Sequence, residues 1–168
     1  MTVRRLEVEQ WLPRPLTEVF PYFSDPRNLD DLTPPWLHFR VLTDVPKEIH
    51  AGLLIDYKLR LYKLPVYWRT EITAYEPPHR FVDTQLKGPY RLWVHEHTFT
   101  EKDGGVLMRD RVDYRVPGWL AEPLLHRWLV GPDLRTIFDF RRGKLEEVFG
   151  SCASSESNEK GPRVAPRA

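Results

Sequence analysis

Cysteine is almost missing from this chain. Cys152 is the single one, so no disulfide can form within it, and nothing points to an oxidising compartment. Long apolar runs are missing too; none approaches the roughly 20 residues that span a bilayer. The opening stretch MTVRRLEVEQWL carries charges but no apolar h-region, so it does not read as a secretory signal, and cytoplasm is the expected compartment. An excess of one charge is likewise absent. With 25 basic against 24 acidic residues, interspersed along the chain, the net charge is +1. That balance makes no strong field for nucleic acid or an anionic membrane, and no nucleic-acid partner is expected. No internal repeat is present.

What is present is one domain's worth of chain. At 168 residues it fits a single unit, with the folded domain expected over 1–149 and a polar tail over 150–168. The tail, SCASSESNEKGPRVAPRA after Gly150, is small, polar and proline-bearing, and reads as disordered. Six Trp, seven Tyr and eight Phe either fill a core or line a pocket; composition does not choose.

Alternation dominates from Leu53 to Pro117. Leu53, Ile55, Tyr57, Leu59 and Leu61 alternate with Asp56, Lys58 and Arg60, which predicts a strand with one buried and one wet face. Val3 to Leu12 reads the same way, with Leu6, Val8 and Leu12 against Arg5, Glu7 and Glu9. Pro13 and Pro15 end it. Leu16, Val19, Phe20 and Phe23 have helical spacing, and Ser24-Asp25-Pro26 can cap a second short helix carrying Leu29 and Leu32. Leu37 to Thr43 reads as the second strand.

Hairpin positions then assign faces. A turn at Lys63-Leu64 pairs Leu61 with Val66, Leu59 with Trp68, Tyr57 with Thr70 and Ile55 with Ile72. A turn at Pro77-Pro78 pairs Ala74 with Phe81, Ile72 with Asp83 and Thr70 with Gln85, which turns Asp83 and Gln85 inward. At Gly88-Pro89 two readings stand. A two-residue loop places Val82, Thr84 and Leu86 inside. A three-residue loop or bulge keeps Phe81, Asp83 and Gln85 inside, opposite His97, His95 and Trp93, in agreement with the preceding hairpin. Asp103-Gly104 is a strong hairpin signal and sets Phe99 against Met108, His97 against Asp110, His95 against Val112 and Trp93 against Tyr114. From Trp119 to Phe149 apolar residues recur at helical spacing, with a kink or break expected at Gly131-Pro132.

Together these elements, with Leu12-Pro13-Arg14-Pro15, Val19-Phe20, Ser24-Asp25-Pro26, Asn28-Leu29, Trp68, Ile72, Pro77-Pro78-His79-Arg80-Phe81, Asp83, Gly88-Pro89, His95, His97, Phe99, Asp110, Val112 and Tyr114, resemble the START-like (Bet v 1-like) SRPBCC superfamily. That superfamily includes polyketide cyclase/dehydrase and Coq10-like proteins. The resemblance covers about residues 3 to 149. It implies an α+β helix-grip fold: a curved antiparallel sheet of about seven strands, two short helices after the first strand, and a long C-terminal helix over a ligand cavity. It implies a non-enzymatic carrier or sequestering protein for a lipid, isoprenoid quinone or polyketide-like molecule. A polyketide-type cyclase or dehydratase, or a protein–protein interaction module, are the alternatives. The fold hosts many activities, so it does not choose among them.

The candidate ligand contacts are Tyr57, Trp68, Thr70, Asp83, Gln85, Arg91, Trp93, His95, Phe99 and Tyr114. His97 with Asp110 is the candidate acid/base pair, the carboxylate fixing the imidazole tautomer for an aldol-type cyclisation or dehydration. The bland alternative is that these histidines and aspartates merely satisfy each other inside the sheet. His95-x-His97 with a nearby carboxylate is a zinc or iron ligand composition, but His-x-His alone specifies no metal, and neither metal nor cofactor is expected. Arg109, Arg111, Asp113 and Arg115 read as a solvated outer face, while Arg91 shares parity with the histidines. The Trp119–Trp128 stripe either packs on the sheet or touches a membrane transiently during loading.

Overall fold

The computed structural model describes residues 2–117 and 130–150. Seven antiparallel strands form one sheet in the order β1-β7-β6-β5-β4-β3-β2. They are β1 (Arg4–Leu12), β2 (Arg40–Val41), β3 (Leu54–Leu61), β4 (Leu64–Glu76), β5 (Arg80–Lys87), β6 (Leu92–Lys102) and β7 (Gly105–Arg115). A short helix, α1 (Leu16–Ser24), follows β1, and α2 (Gly131–Phe149) follows the sheet. This is the helix-grip architecture expected from the sequence.

Local chemistry explains most boundaries. Pro15 precedes α1, where a missing N–H matters least. Leu16, Val19, Phe20 and Phe23 are its buried face. The Asp25 side chain accepts a hydrogen bond from the Arg27 N–H at 3.0 Å, but what it caps is a single 3₁₀ turn, Pro26–Leu29, rather than a second α-helix. The second strand is also shorter than expected. Pro35–Leu37 forms a 3₁₀ turn, His38 adopts a left-handed φ of 45°, and only Arg40–Val41 pair with β3. The carbonyls of Pro34 and Pro35 take the N–H groups of Leu37 and His38 at 3.0 and 3.1 Å, which holds these residues in the turn instead of the ladder.

The β6–β7 register is the predicted one, from Trp93–Tyr114 to Phe99–Met108. Asp103 and Gly104 take φ values of 52° and 75°, the left-handed pair that a two-residue hairpin turn requires. The β3–β4 register differs by two. Leu61 pairs with Leu64, Leu59 with Val66, Tyr57 with Trp68 and Ile55 with Thr70. The turn residues are Tyr62 and Lys63, at φ 51° and 67°, neither a residue type that announces such a turn. Moving a two-residue turn by one position shifts partners by two, so every side chain keeps its predicted face. Ile72–Asp83 and Thr70–Gln85 pair as expected, but a bulge between Ile72 and Ala74 puts Val82, not Phe81, opposite Ala74. Phe81 faces His97 and Asp83 faces His95, which resolves the Gly88-Pro89 alternatives in favour of the longer loop.

The C-terminal half of α2 is tied to β1 and the residues just after it: Gln10 Nε2 donates to the Arg142 carbonyl at 3.1 Å and Arg14 Nε to that of Phe149 at 3.2 Å. The helix is described from Gly131-Pro132, the point where a kink or break was expected, and residues 118–129 before it lie outside the described residues. The Trp119–Trp128 stripe and the tail after Gly150 lie outside the described residues.

The core falls into two apolar clusters. One gathers Leu12, Leu16, Phe20, Phe23, Phe99, Met108, Leu145 and Phe149. The other gathers Leu59, Trp68, Trp93, Val112, Tyr114, Leu134 and Phe138. Along β6 the order is Trp93, His95, His97, Phe99; along β7 it is Tyr114, Val112, Asp110, Met108; along α2 it is Phe138, Arg141, Leu145. A polar layer therefore crosses strand, strand and helix at one level and divides the two clusters.

Candidate functional site

Between the sheet, α2 and the segments after β1 lies a cavity of about 200 Å³. Its walls are mostly apolar, with Leu59, Trp68, Ile72, Trp93, Leu134 and Phe138 among them. Asp83, His95, His97 and Arg141 form a polar wall on the sheet and α2 side, and Asp25, Asn28 and Thr33 line the cavity from the segment after α1.

Strand pleat sets this wall. His95 and His97 are two apart on β6, so both imidazoles project from one face, their ring centroids 3.8 Å apart. Phe81 on β5 stacks on His97 at 4.2 Å, and Phe138 on α2 stands edge-on to His95 at 5.7 Å. Asp110 on β7 and Asp83 on β5 flank the pair from opposite sides. Each imidazole presents one nitrogen to each carboxylate. His95 Nε2 lies 3.2 Å from Asp110 Oδ1 and its Nδ1 lies 3.5 Å from Asp83 Oδ2. His97 Nδ1 lies 2.6 Å from Asp110 Oδ1 and its Nε2 lies 3.1 Å from Asp83 Oδ2. Arg141 completes the group, with Nε 3.3 Å from Asp110 Oδ2 and Nη2 3.5 Å from His97 Nδ1. The two pairings weighed from the sequence, His97 with Asp110 and His95 with Asp83, therefore occur together in one closed ring.

The electrostatics follow. Burial pushes Asp110 up, but Arg141 and the two histidines outweigh it and hold the carboxyl well below its usual range. Asp83 moves the same way: burial opposes ionisation, and His95, His97 and Arg141 overcome it. Burial also opposes a charge on His97, yet the Asp110 and Asp83 carboxylates raise its pKa above the usual value. His95 goes down, through burial and the neighbouring His97. Two carboxylates are thus faced by Arg141 and by two imidazoles whose pKa values move in opposite directions, His97 up and His95 down. The ligand atoms of Asp83, His95 and His97 lie within 4.8 Å of one another, so the same residues can hold a metal ion.

Seven predicted site residues line the cavity: Tyr57, Trp68, Thr70, Asp83, Trp93, His95 and His97. Asp110 lies behind the histidines, 1% exposed. The others are used elsewhere. Gln85 donates from Nε2 to the Tyr90 carbonyl at 2.7 Å and accepts from the Tyr90 N–H at 3.3 Å, so it braces the β5–β6 loop. Arg91 is exposed and outside the cavity wall; its backbone N–H donates to Arg115 at 2.8 Å. Parity continued past the end of the β5–β6 pairing, and the loop breaks it. Phe99 packs against Phe20 and Phe23, and Tyr114 against Tyr90 and Trp93; both belong to the core around the cavity. Arg109, Arg111 and Asp113 occupy the outer face, with pairs such as Arg5–Asp113 at 2.7 Å and Arg111–Glu96 at 3.1 Å.

Arg141 escaped sequence reading although a signal existed. Leu134, Phe138, Arg141 and Leu145 have the spacing of one helical stripe, so an arginine there faces the core and requires a buried anion.

Residues 12–139 match the family model described as polyketide cyclase/dehydrase and lipid transport, and the chain belongs to that family. Solved structures agree in fold. Protein CV1439 from Chromobacterium violaceum superposes with a TM-score of 0.66 at 12% identity, covering 88% of this chain and 98% of that one. Ginseng major latex-like protein 151 from Panax ginseng gives 0.62 at 12% identity, covering 88% and 97%. A point mutant of norcoclaurine synthase from Thalictrum flavum, in complex with a transition-state analogue, gives 0.61 at 13% identity, covering 88% and 96%. These likenesses show a shared fold. No curated protein sequence matches the chain significantly. Among the described residues, no helix is long and apolar enough to cross a membrane.

Proposed function

We propose that the protein binds a hydrophobic or amphipathic small molecule in this cavity, as a carrier or sequestering protein, with the ligand's polar end against the Asp83–His95–His97 wall. The observation that carries the reading is the make-up of the cavity: mostly apolar and aromatic walls, with Asp83, His95, His97 and Arg141 gathered into one polar cluster. That is the usual composition of a small-molecule site, in which area gives affinity and a few polar groups fix orientation. A buried ionic cluster is weak support for stability, because well-packed apolar residues serve as well or better. Its position on the cavity wall fits a ligand-facing role.

Size narrows the class. An apolar cavity of roughly 150 Å³ holds benzene. About 200 Å³ fits a compact ring system, and a long acyl or isoprenoid tail would have to extend beyond these walls. A polyketide-like or other oxygenated ring compound is therefore favoured over a full-length lipid or quinone.

Native mass spectrometry of freshly purified protein is the test. A retained organic ligand that exchanges with added ring compounds is expected, as is loss of binding in Leu59→Trp, which fills the cavity from β3. A ligand-free mass after gentle isolation, with no hydrophobic dye displaced by such compounds, would count against it.

A second reading, a cyclase or dehydratase, is favoured by His97 meeting both the cavity and two carboxylates. His97 would take a proton from an acidic carbon of the substrate and return it to a leaving oxygen. His97→Ala would then bind ligand nearly as well and turn over none; absence of turnover of polyketide-like substrates by the parent protein rejects this reading.

A further inference from the structure

The ring of two carboxylates and two imidazoles cannot satisfy itself fully. Four imidazole nitrogens face four carboxylate contacts, at 2.6, 3.1, 3.2 and 3.5 Å. A neutral imidazole has one N–H and one lone pair. Unless both rings are charged, at least one buried nitrogen lone pair points at a carboxylate oxygen. The arrangement has a second side to it. Asp110 Oδ1 touches one nitrogen of each ring from behind, His95 Nε2 and His97 Nδ1. If those nitrogens carry the protons, His95 Nδ1 and His97 Nε2 are left bare. Both then face Asp83 Oδ2, at 3.5 and 3.1 Å.

We propose that Asp83, His95 and His97 form a binding site for a divalent transition-metal ion on the cavity wall, with Asp110 as the carboxylate that orients both imidazoles from behind. Three observations converge on it. The three ligand atoms all lie within 4.8 Å of each other. Separations of 3.1 and 3.5 Å are those expected between neighbouring ligands around an ion bonded at roughly 2.0–2.2 Å. A carboxylate behind a ligating histidine is the usual way that a protein fixes the tautomer and ring plane of such a ligand. Arg141 does not occupy this space; it approaches His97 on Nδ1, the nitrogen facing Asp110.

The donor set indicates the ion. Two imidazoles and a carboxylate suit zinc or iron, and also nickel or copper, over calcium or magnesium, which prefer oxygen alone. All three residues line the cavity, so the remaining coordination positions open toward it. An oxygen of a cavity ligand can complete the shell. The site does not depend on the cavity holding an organic molecule, and the metal experiment can succeed where the ligand experiment fails.

The test uses the full chain, stripped with chelator and titrated with Zn²⁺. One ion per chain is expected, with the imidazole ¹⁵N resonances of His95 and His97 both moving on addition. Co²⁺ in place of Zn²⁺ is expected to give ligand-field absorption bands. Asp83→Asn is expected to abolish stoichiometric binding, and Asp110→Asn to weaken it about 10- to 100-fold. Because a variant in the core can fail to fold, the resonance shifts in the parent protein decide the matter alone. Unmoved His95 and His97 signals, or no zinc retained, overturn the proposal, as does binding that survives Asp83→Asn unchanged.

Discussion

Arg141 on α2 meets Asp110 on β7 across 3.3 Å in the middle of the core, where the carboxylate is 1% exposed. Without Arg141, Asp110 keeps only the two imidazoles as partners, and without Asp110, Arg141 loses the carboxylate it faces. Removing one partner of such a pair costs about 3–5 kcal/mol, a large share of the roughly 5–15 kcal/mol that holds a domain together. Arg141→Met and Asp110→Asn should each lower the unfolding free energy, read from urea denaturation, by an amount of that order. The double variant should lose clearly less than the sum of the two, because neither charge is then left alone. Additive losses in the double-mutant cycle would show that the pair does not couple.

The two histidines should titrate apart. His97 is held above its usual pKa by two carboxylates, and His95 is pushed below by burial and by His97. Linkage gives opposite signs. The stability from His97 is fully present below the unfolded value near 6.5 and is lost as pH rises through its folded pKa. His95 acts in reverse: below about 6.5 the unfolded chain takes its proton more readily, so stability falls as pH drops toward its folded pKa. Imidazole NMR on the metal-free protein should find His97 still protonated at a pH where His95 is neutral. The reverse order would remove this assignment of charge.

The polar layer was largely legible, and the reason is the pleat. A period of two fixes faces without fixing partners, so the inward placement of Asp83, His95, His97 and Asp110 survived a β3–β4 register that was two residues off. Turn chemistry set the limit. Asp103-Gly104 advertises its left-handed pair, while Tyr62-Lys63 adopts the same conformation with nothing in its side chains to announce it. Loops set a second limit, since Gln85 and Arg91 share the parity of the inner face but flank a connection that uses Gln85 to hold Tyr90. Arg141 shows the third. Its partner is 31 positions away in the chain, and only the docking of α2 on the sheet brings them together.

On the outer face, Asp56 offers a smaller pH effect of ordinary sign. Hydrogen bonds from Arg69, at 2.6 and 2.7 Å, and from the Tyr67 hydroxyl, at 2.7 Å, pull its pKa down to about 2. A depressed carboxylate contributes stability above its unfolded pKa, near 3.8, that disappears as pH falls to about 2. The pair is partly exposed and screened, so the contribution should be about 1 kcal/mol or less. Denaturation of Asp56→Asn and the parent between pH 5 and pH 2 should show a small gap that closes on acidification. A gap that widens instead would mean that Asp56 is not held by Arg69 and Tyr67.

Trp68 carries a prediction about what the cavity prefers. Its side chain is buried on the cavity wall, and its Nε1–H has no hydrogen-bond partner among the described residues. Indole N–H is a donor only, and a buried donor left unmet costs about 1–3 kcal/mol. A ligand with a carbonyl or ether oxygen can meet it; a hydrocarbon of the same shape cannot. The parent protein should therefore bind 1-tetralone more tightly than tetralin. A net hydrogen bond of about 0.5–1.5 kcal/mol corresponds to roughly a two- to tenfold preference. Trp68→Phe enlarges the cavity and weakens both compounds through lost contact, so absolute affinities are uninformative. The ratio is informative, because shape and area cancel between the two. It should fall by that two- to tenfold factor in Trp68→Phe, measured by calorimetry or dye displacement. A ratio that stays unchanged would show that the indole N–H is not what the ligand's oxygen meets.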